Sequence, residues 1–182
     1  TEIYTLSLDD ALPIAGAASQ DDSFYFPIIR QANCNIAADG GAGIYHRLGI
    51  KPDLIVGDCD SMTLQELEWA HENGIPIQRF PIEKDATDMQ LALDIAIQRK
   101  KIKIAILGGI GGRMDHTLAN LFLLLYAHHK GAEVKLIDPW HEISLLVAHR
   151  KQRIPTKKKE SVSIVPISRS EEHTSELQSR QS

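Results

Sequence analysis

The sequence has little sulfur, no long apolar run and no strong charge of either sign. Its 182 residues include only Cys34 and Cys59 for sulfur chemistry, and the N-terminus lacks the basic start, apolar stretch and small-residue cleavage site of a secretory leader. A reducing, cytoplasmic setting is expected, with both thiols read as small, inert apolar residues. No apolar stretch approaches the length that spans a bilayer, which excludes a membrane-spanning helical protein. A formal charge of −4 offers no general attraction to nucleic acid, and the basic run from Arg150 to Lys159 is read as a solvated hairpin or linker. What is present is the 43% apolar and 24% charged content of a soluble globular chain. A domain usually takes about 100–150 residues, so one ordinary domain and a small appendage fit.

From residue 34 onward, short apolar runs alternate with helical patterns, and each run ends in Gly or Asp, which is a βα rhythm. Strands are predicted at Asn35–Ala38, Asp53–Val56, Ile75–Phe80, Lys103–Leu107 and Glu133–Ile137. Between them lie helices: one through Ile44 to Leu48 stopped by Gly49, and one opened by a capping box at Thr63 and Glu66 and closed by Gly74. A third runs from Met89 to about Arg99, and a fourth is capped by Thr117 and ended by Gly131. The reading is an α/β domain over 15–137, a Rossmann-like, mostly parallel sheet with flanking helices. Beyond Asp138 the runs Ile143–Val147 and Ser161–Val165 read as the opening of a truncated β-sandwich over 138–168.

Both ends look foreign to this pattern. Arg169–Ser179 reads like an in-frame translation of a common DNA-sequencing adapter, and Tyr4–Ile14 resembles the opposite adapter with one change at Asp9. Residues 1–14 and 169–182 are therefore set aside from the fold as non-native ends.

In an open α/β sheet the ligand crevice lies outside the carboxyl ends of the strands, and there the chain gathers Asp39, Asp58, Asp60, Asp85, Asp88 and Asp115. Carboxylates about 4 Å apart repel by roughly 4 kcal/mol at an effective dielectric near 20, so such a group calls for a compensating cation. All-oxygen ligands favour Mg²⁺, whereas the eight His and two Cys show no zinc-chelating spacing. Gly108–Gly112 lets backbone N–H groups approach an anion, Arg113 adds a planar fork and Lys84 a point charge. The loop is not a Walker loop, and Met114 stands where a dinucleotide fingerprint would need its last Gly. Blander roles stay open: Thr87 or Asp88 as helix cap, Asp39 as a turn residue, His116 or Asn120 satisfying backbone near a helix start. Asp58 with Asp60 is costly as mere structure, so there the functional reading leads.

Taken in order, Ala38-Asp-Gly-Gly-Ala42, Gly49-Ile-Lys-Pro-Asp53, Gly57-Asp-Cys-Asp-Ser61, Lys84-Asp-Ala-Thr-Asp88 and Gly112-Arg-Met-Asp-His-Thr-Leu-Ala-Asn120 resemble the bacterial thiamine pyrophosphokinase family, over roughly residues 34 to 147. The resemblance implies transfer of a pyrophosphoryl group from ATP to thiamine, giving thiamine diphosphate and AMP, with Mg²⁺ as cofactor. It also implies a C-terminal β-sandwich and, in the complete protein, a homodimer with active sites between subunits. Carried over by position, Asp58, Asp60 and Asp88 are the catalytic and Mg²⁺-holding residues, supported by Asp39. Lys84, Thr87, Gln90, Arg113 and Asp115 line the nucleotide side with Asp39. Cys59 replaces the aromatic residue usual between the two aspartates, and Gly43 stands where the family commonly has Asn. The later strands that hold thiamine in the family are missing from the sequence.

The rival enzyme reading is a Mg²⁺-dependent phosphatase of the Asp-x-Asp type, with Asp58 as nucleophile. Met62 stands where Thr or Val is usual, and the other four motifs go unexplained. A third reading is an inactive, truncated nucleotide-binding fragment.

Overall fold

In the computed structural model, residues 11–15 (as backbone), 21–81, 85–147, 154 and 161–167 are described. The strands are β1 (Ala11–Ala15), β2 (Ile36–Ala38), β3 (Leu54–Gly57), β4 (Ile77–Arg79), β5 (Lys103–Leu107), β6 (Glu133–Ile137) and β7 (Glu142–Ser144). The helices are α1 (Asp22–Gln31), α2 (Ala42–Leu48), α3 (Leu64–Glu72), α4 (Asp88–Gln98) and α5 (Met114–His129). All seven strands form one sheet in the order β4-β3-β2-β1-β5-β6-β7, parallel throughout except for β7, which runs antiparallel to β6.

Period-2 alternation along the strands explains the layering. Ile36, Ala38, Leu54, Val56, Ile104, Ile106, Val134 and Leu136 face one way and pack with Met89 and Leu93 of α4 and Leu123, Leu124 and Ala127 of α5. The intervening Ala37, Ile55, Ala105, Leu107 and Ile137 face the other way, against Tyr25 and Ile29 of α1, Ile44 and Tyr45 of α2 and Ala70 of α3. Strands buried on both faces read as continuous apolar runs, which is why the parallel sheet is legible in the sequence. The helix starts follow local chemistry. Thr63 and Glu66 form the full capping box of α3, with Thr63 N–H donating to Glu66 Oε2 at 2.7 Å and Glu66 N–H to Thr63 Oγ1 at 3.2 Å.

Three features differ from the sequence reading. Residues 11–14, set aside as foreign, form with Ala15 the strand β1 between β2 and β5, because the sheet there has two inner edges that a single strand must pair. The run that begins at Ile143 contributes β7 to this same sheet, and residues 161–167 form no strand. A strand exists only where a ladder partner is present, and none pairs 161–167 among the described residues. Finally, α5 starts at Met114, three residues before the expected cap Thr117.

The chain divides into two compact units, Thr1–Leu146 and Val147–Ser182. The first contains the whole sheet. Within the second, the described residues 147, 154 and 161–167 have neither helix nor strand. No helix among the described residues is long and apolar enough to cross a membrane.

Candidate active site

Strand order reverses between β1 and β5, and a doubly wound sheet offers its ligand crevice beside such a point, outside the carboxyl ends. Every loop that carries a candidate residue leaves the sheet at that edge: Asp39 follows β2, Asp58 and Asp60 follow β3, Asp88 opens the helix after β4, and Arg113 and Asp115 follow β5.

Asp39, Asp58 and Asp60 converge, each offering one carboxylate oxygen within 4.8 Å of the others. Local backbone geometry makes this possible. Asp39 has a φ of 45° at the head of a short 3-10 turn, and Cys59 a φ of 69° between the two paired acids. That left-handed residue folds the chain so that Asp60 N–H donates to Asp58 Oδ1 at 3.1 Å. Ser61 Oγ donates to Asp60 Oδ1 at 3.1 Å. The Cys59 thiol is buried and pushed up from its ordinary pKa by that burial, as is Cys34, so neither is a ready nucleophile.

Asp39 is the most constrained of the group. Its Oδ1 is buried and has no hydrogen-bond partner. Burial first, then the negative charges of Asp88 and Asp60, raise its pKa above the ordinary carboxylate value, against hydrogen bonds from Ser61 and the Gly40 backbone that lower it. Asp88 therefore belongs electrostatically to the same cluster, although it is not among the three acids whose oxygens mutually approach within 4.8 Å.

The nucleotide-side candidates are spread along the same edge. Thr87 is the N-cap of α4, its hydroxyl accepting from the half-buried Gln90's backbone N–H at 3.2 Å, so the capping role holds for Thr87. Arg113 and Asp115 pair with each other, Nη2 to Oδ2 at 2.5 Å, and both are exposed. The guanidinium holds Asp115 down to about 2. Lys84 lies outside the described residues. Asp85 is exposed. Thr117 serves the glycine loop, its hydroxyl accepting from Gly111 N–H at 3.1 Å, and buried Asn120 donates from Nδ2 to Gly109 O at 2.8 Å. These bonds tie the turn after β5 to the first two turns of α5.

One acid escaped the sequence reading. Asp138, buried at the carboxyl end of β6, accepts at Oδ1 from Trp140 N–H at 2.7 Å and His141 N–H at 2.6 Å. It builds the turn to β7. Its place directly after a strand was the available signal, but an Asp-Pro step there reads equally as an ordinary turn.

The family profile described as "Thiamin pyrophosphokinase, catalytic domain" matches residues 26–136. The chain is 32% identical to Thiamine pyrophosphokinase of Bacillus subtilis over 133 residues, covering 73% of this chain and 62% of that protein. Crystal structures of the Bacillus subtilis protein (29% identity, TM-score 0.63) and of a thiamin pyrophosphokinase family protein from Enterococcus faecalis (30%, TM-score 0.60) superpose on it. They cover 71% and 74% of this chain, and 61% and 63% of theirs. The chain thus spans about three fifths of the length of these relatives. With a profile match across 26–136 and a sheet that places the matched acids at one edge, this chain belongs to the thiamin pyrophosphokinase catalytic domain family.

Proposed function

We propose that this protein transfers the pyrophosphoryl group of ATP to thiamine, giving thiamine diphosphate and AMP, and that its 1–146 unit carries the nucleotide and metal half of that reaction. The observation that carries this reading is the buried Asp39 Oδ1, without a partner and grouped with Asp58 and Asp60. A buried carboxylate oxygen left without a donor is costly, and an all-oxygen acidic group is the donor set that suits Mg²⁺. Asp58, Asp60 and Asp39, with Asp88 adjacent, would hold the ion. When bound, Mg²⁺ supplies neutralising charge for the phosphates of the nucleotide.

The chain's own residues then have separable tasks. The glycine loop after β5 presents backbone N–H groups to phosphate oxygens, and Arg113 adds a planar fork at its end. The acids hold the metal-binding edge in place, and the matched loops orient the triphosphate for in-line attack by the thiamine hydroxyl. Transfer of this kind needs alignment and charge neutralisation rather than a covalent enzyme intermediate. An Asp-x-Asp phosphatase, with Asp58 as nucleophile, leaves the profile match across 26–136 unexplained and is not favoured. We further propose a cytoplasmic enzyme that works as a homodimer in the length typical of its relatives.

Isothermal titration of ATP with and without Mg²⁺, on the parent chain and on Asp58→Asn and Asp88→Asn, tests the assignment. Mg²⁺-dependent binding that weakens about tenfold or more in both variants is expected, the usual scale for disturbing a metal site. Parent-like affinity in both, with Mg²⁺ present, overturns their role.

A further inference from the structure

We infer that Gly57 is a positioning residue for the cation site, its missing side chain being what allows Asp39 from the β2 end and Asp88 from α4 to meet beside Asp58. The inference rests on the metal reading above. Gly57 ends β3 with a φ of +146°, a conformation open to glycine and strained for other residues. A Cβ placed on it would lie 3.1 Å from Asp39 Cβ, 3.2 Å from Asp88 Oδ1 and 3.3 Å from Asp88 Cγ. Either neighbour can yield only by moving an acid of the cluster. Asp39 Cβ is fixed by a backbone at φ 45°, and Asp88 is the first residue of α4, whose position is set by the Thr87 cap and by buried Met89, Ala92 and Leu93.

Two other glycines are crowded more tightly, but by different groups. A Cβ on Gly43 would meet Glu66 Oε1, and one on Gly109 would meet Ile106 and Asn120. Of these three, Gly57 is the one whose crowding atoms belong to the acidic cluster. Gly57 also accepts at its carbonyl from Phe80 N–H at 3.2 Å, which fixes the end of β4 from which the chain leads to Asp88. One residue thereby sets the spacing of carboxylates from three separate elements.

Gly74→Ala is the matched control: its φ is +64° and nothing lies within 4 Å of the added carbon, so it carries backbone strain without touching an acid. Mn²⁺, followed by electron paramagnetic resonance as the probe of the site, is titrated into the parent, Gly57→Ala and Gly74→Ala, with a thermal melt of each. We expect Gly57→Ala to lose about tenfold or more in Mn²⁺ affinity and Gly74→Ala to keep parent affinity while its melting temperature falls. Parent-like Mn²⁺ affinity in folded Gly57→Ala overturns the inference, whereas no Mn²⁺ uptake by the parent overturns the cation site itself. A second measurement is independent of metal: the drop in melting temperature caused by Gly57→Ala should be smaller in an Asp88→Ala background, because two of the three atoms it crowds are gone. An equal drop in both backgrounds counts against the inference even if Gly57→Ala alone folds poorly.

Discussion

Arg113 holds Asp115 two residues along the chain, Nη2 to Oδ2 at 2.5 Å and Nε to Oδ1 at 3.2 Å, in a fork-on-carboxylate pair at the start of α5. Both side chains are well exposed, so water and salt screen the pair and its loss should leave the melting temperature unchanged. A phosphate arriving at the glycine loop would compete for the same fork. We therefore expect Arg113→Ala to weaken ATP binding several-fold, and Asp115→Asn to strengthen it while steepening its salt dependence. Asp115 stays ionised down to about pH 2, so the competition should be constant across any assay pH. Titration calorimetry at two ionic strengths checks both variants, and a parent-like affinity in Arg113→Ala removes the residue from the nucleotide side.

Asn120 ties α5 to the loop that should face the phosphates. Its buried Nδ2 donates to Gly109 O, and replacing it with Leu keeps the branch at Cγ but leaves that carbonyl without its partner. Leaving a buried acceptor unsatisfied costs about 1–3 kcal/mol. Asn120→Leu should therefore lower the unfolding free energy by about that amount and weaken ATP binding along with it. A stability loss with unchanged ATP affinity would detach the loop from nucleotide recognition.

How far the sequence revealed the molecule follows from where each signal resides. Asp58 and Asp60 were legible because two charges ending an apolar strand have no structural excuse, and the α3 start because Thr63 and Glu66 bond within a single turn. β1 was not, because residues 11–14 carry a proline and an apparent non-native pattern, and only their neighbours β2 and β5 call for a strand there. Thr117 misled for a related reason: a threonine before an apolar helix reads as its cap, whereas the glycine loop brings Gly111 N–H back to it. The need for Gly57 was invisible too, since it arises when α4 packs across β3 and brings a carboxylate to where a side chain would begin 31 residues earlier.

The same crowding of acids gives the cluster a characteristic pH response. Asp39 has a raised pKa in the folded protein, through burial first and then the charges of Asp88 and Asp60. The folded, metal-free state consequently holds a proton that the unfolded chain releases near pH 4, the ordinary range for aspartate. Its contribution to stability is fully present below that pH and is lost as the pH rises through the raised folded value. Above it, the ionised group should destabilise the metal-free protein. A divalent cation reverses this by pairing with the ionised form, so the rise in melting temperature produced by Mg²⁺ should grow as the pH is raised from about 4 toward neutrality. Asp39→Asn removes the charge and keeps the shape: at neutral pH it should melt higher than the parent without metal, and respond much less to Mg²⁺. Thermal melts of both proteins at several pH values, with Mg²⁺ and with chelator, test the linkage. A metal-free parent whose melting temperature rises steadily from pH 4 to 7 while Asp39→Asn tracks it would show that Asp39 carries no excess proton and does not govern the site.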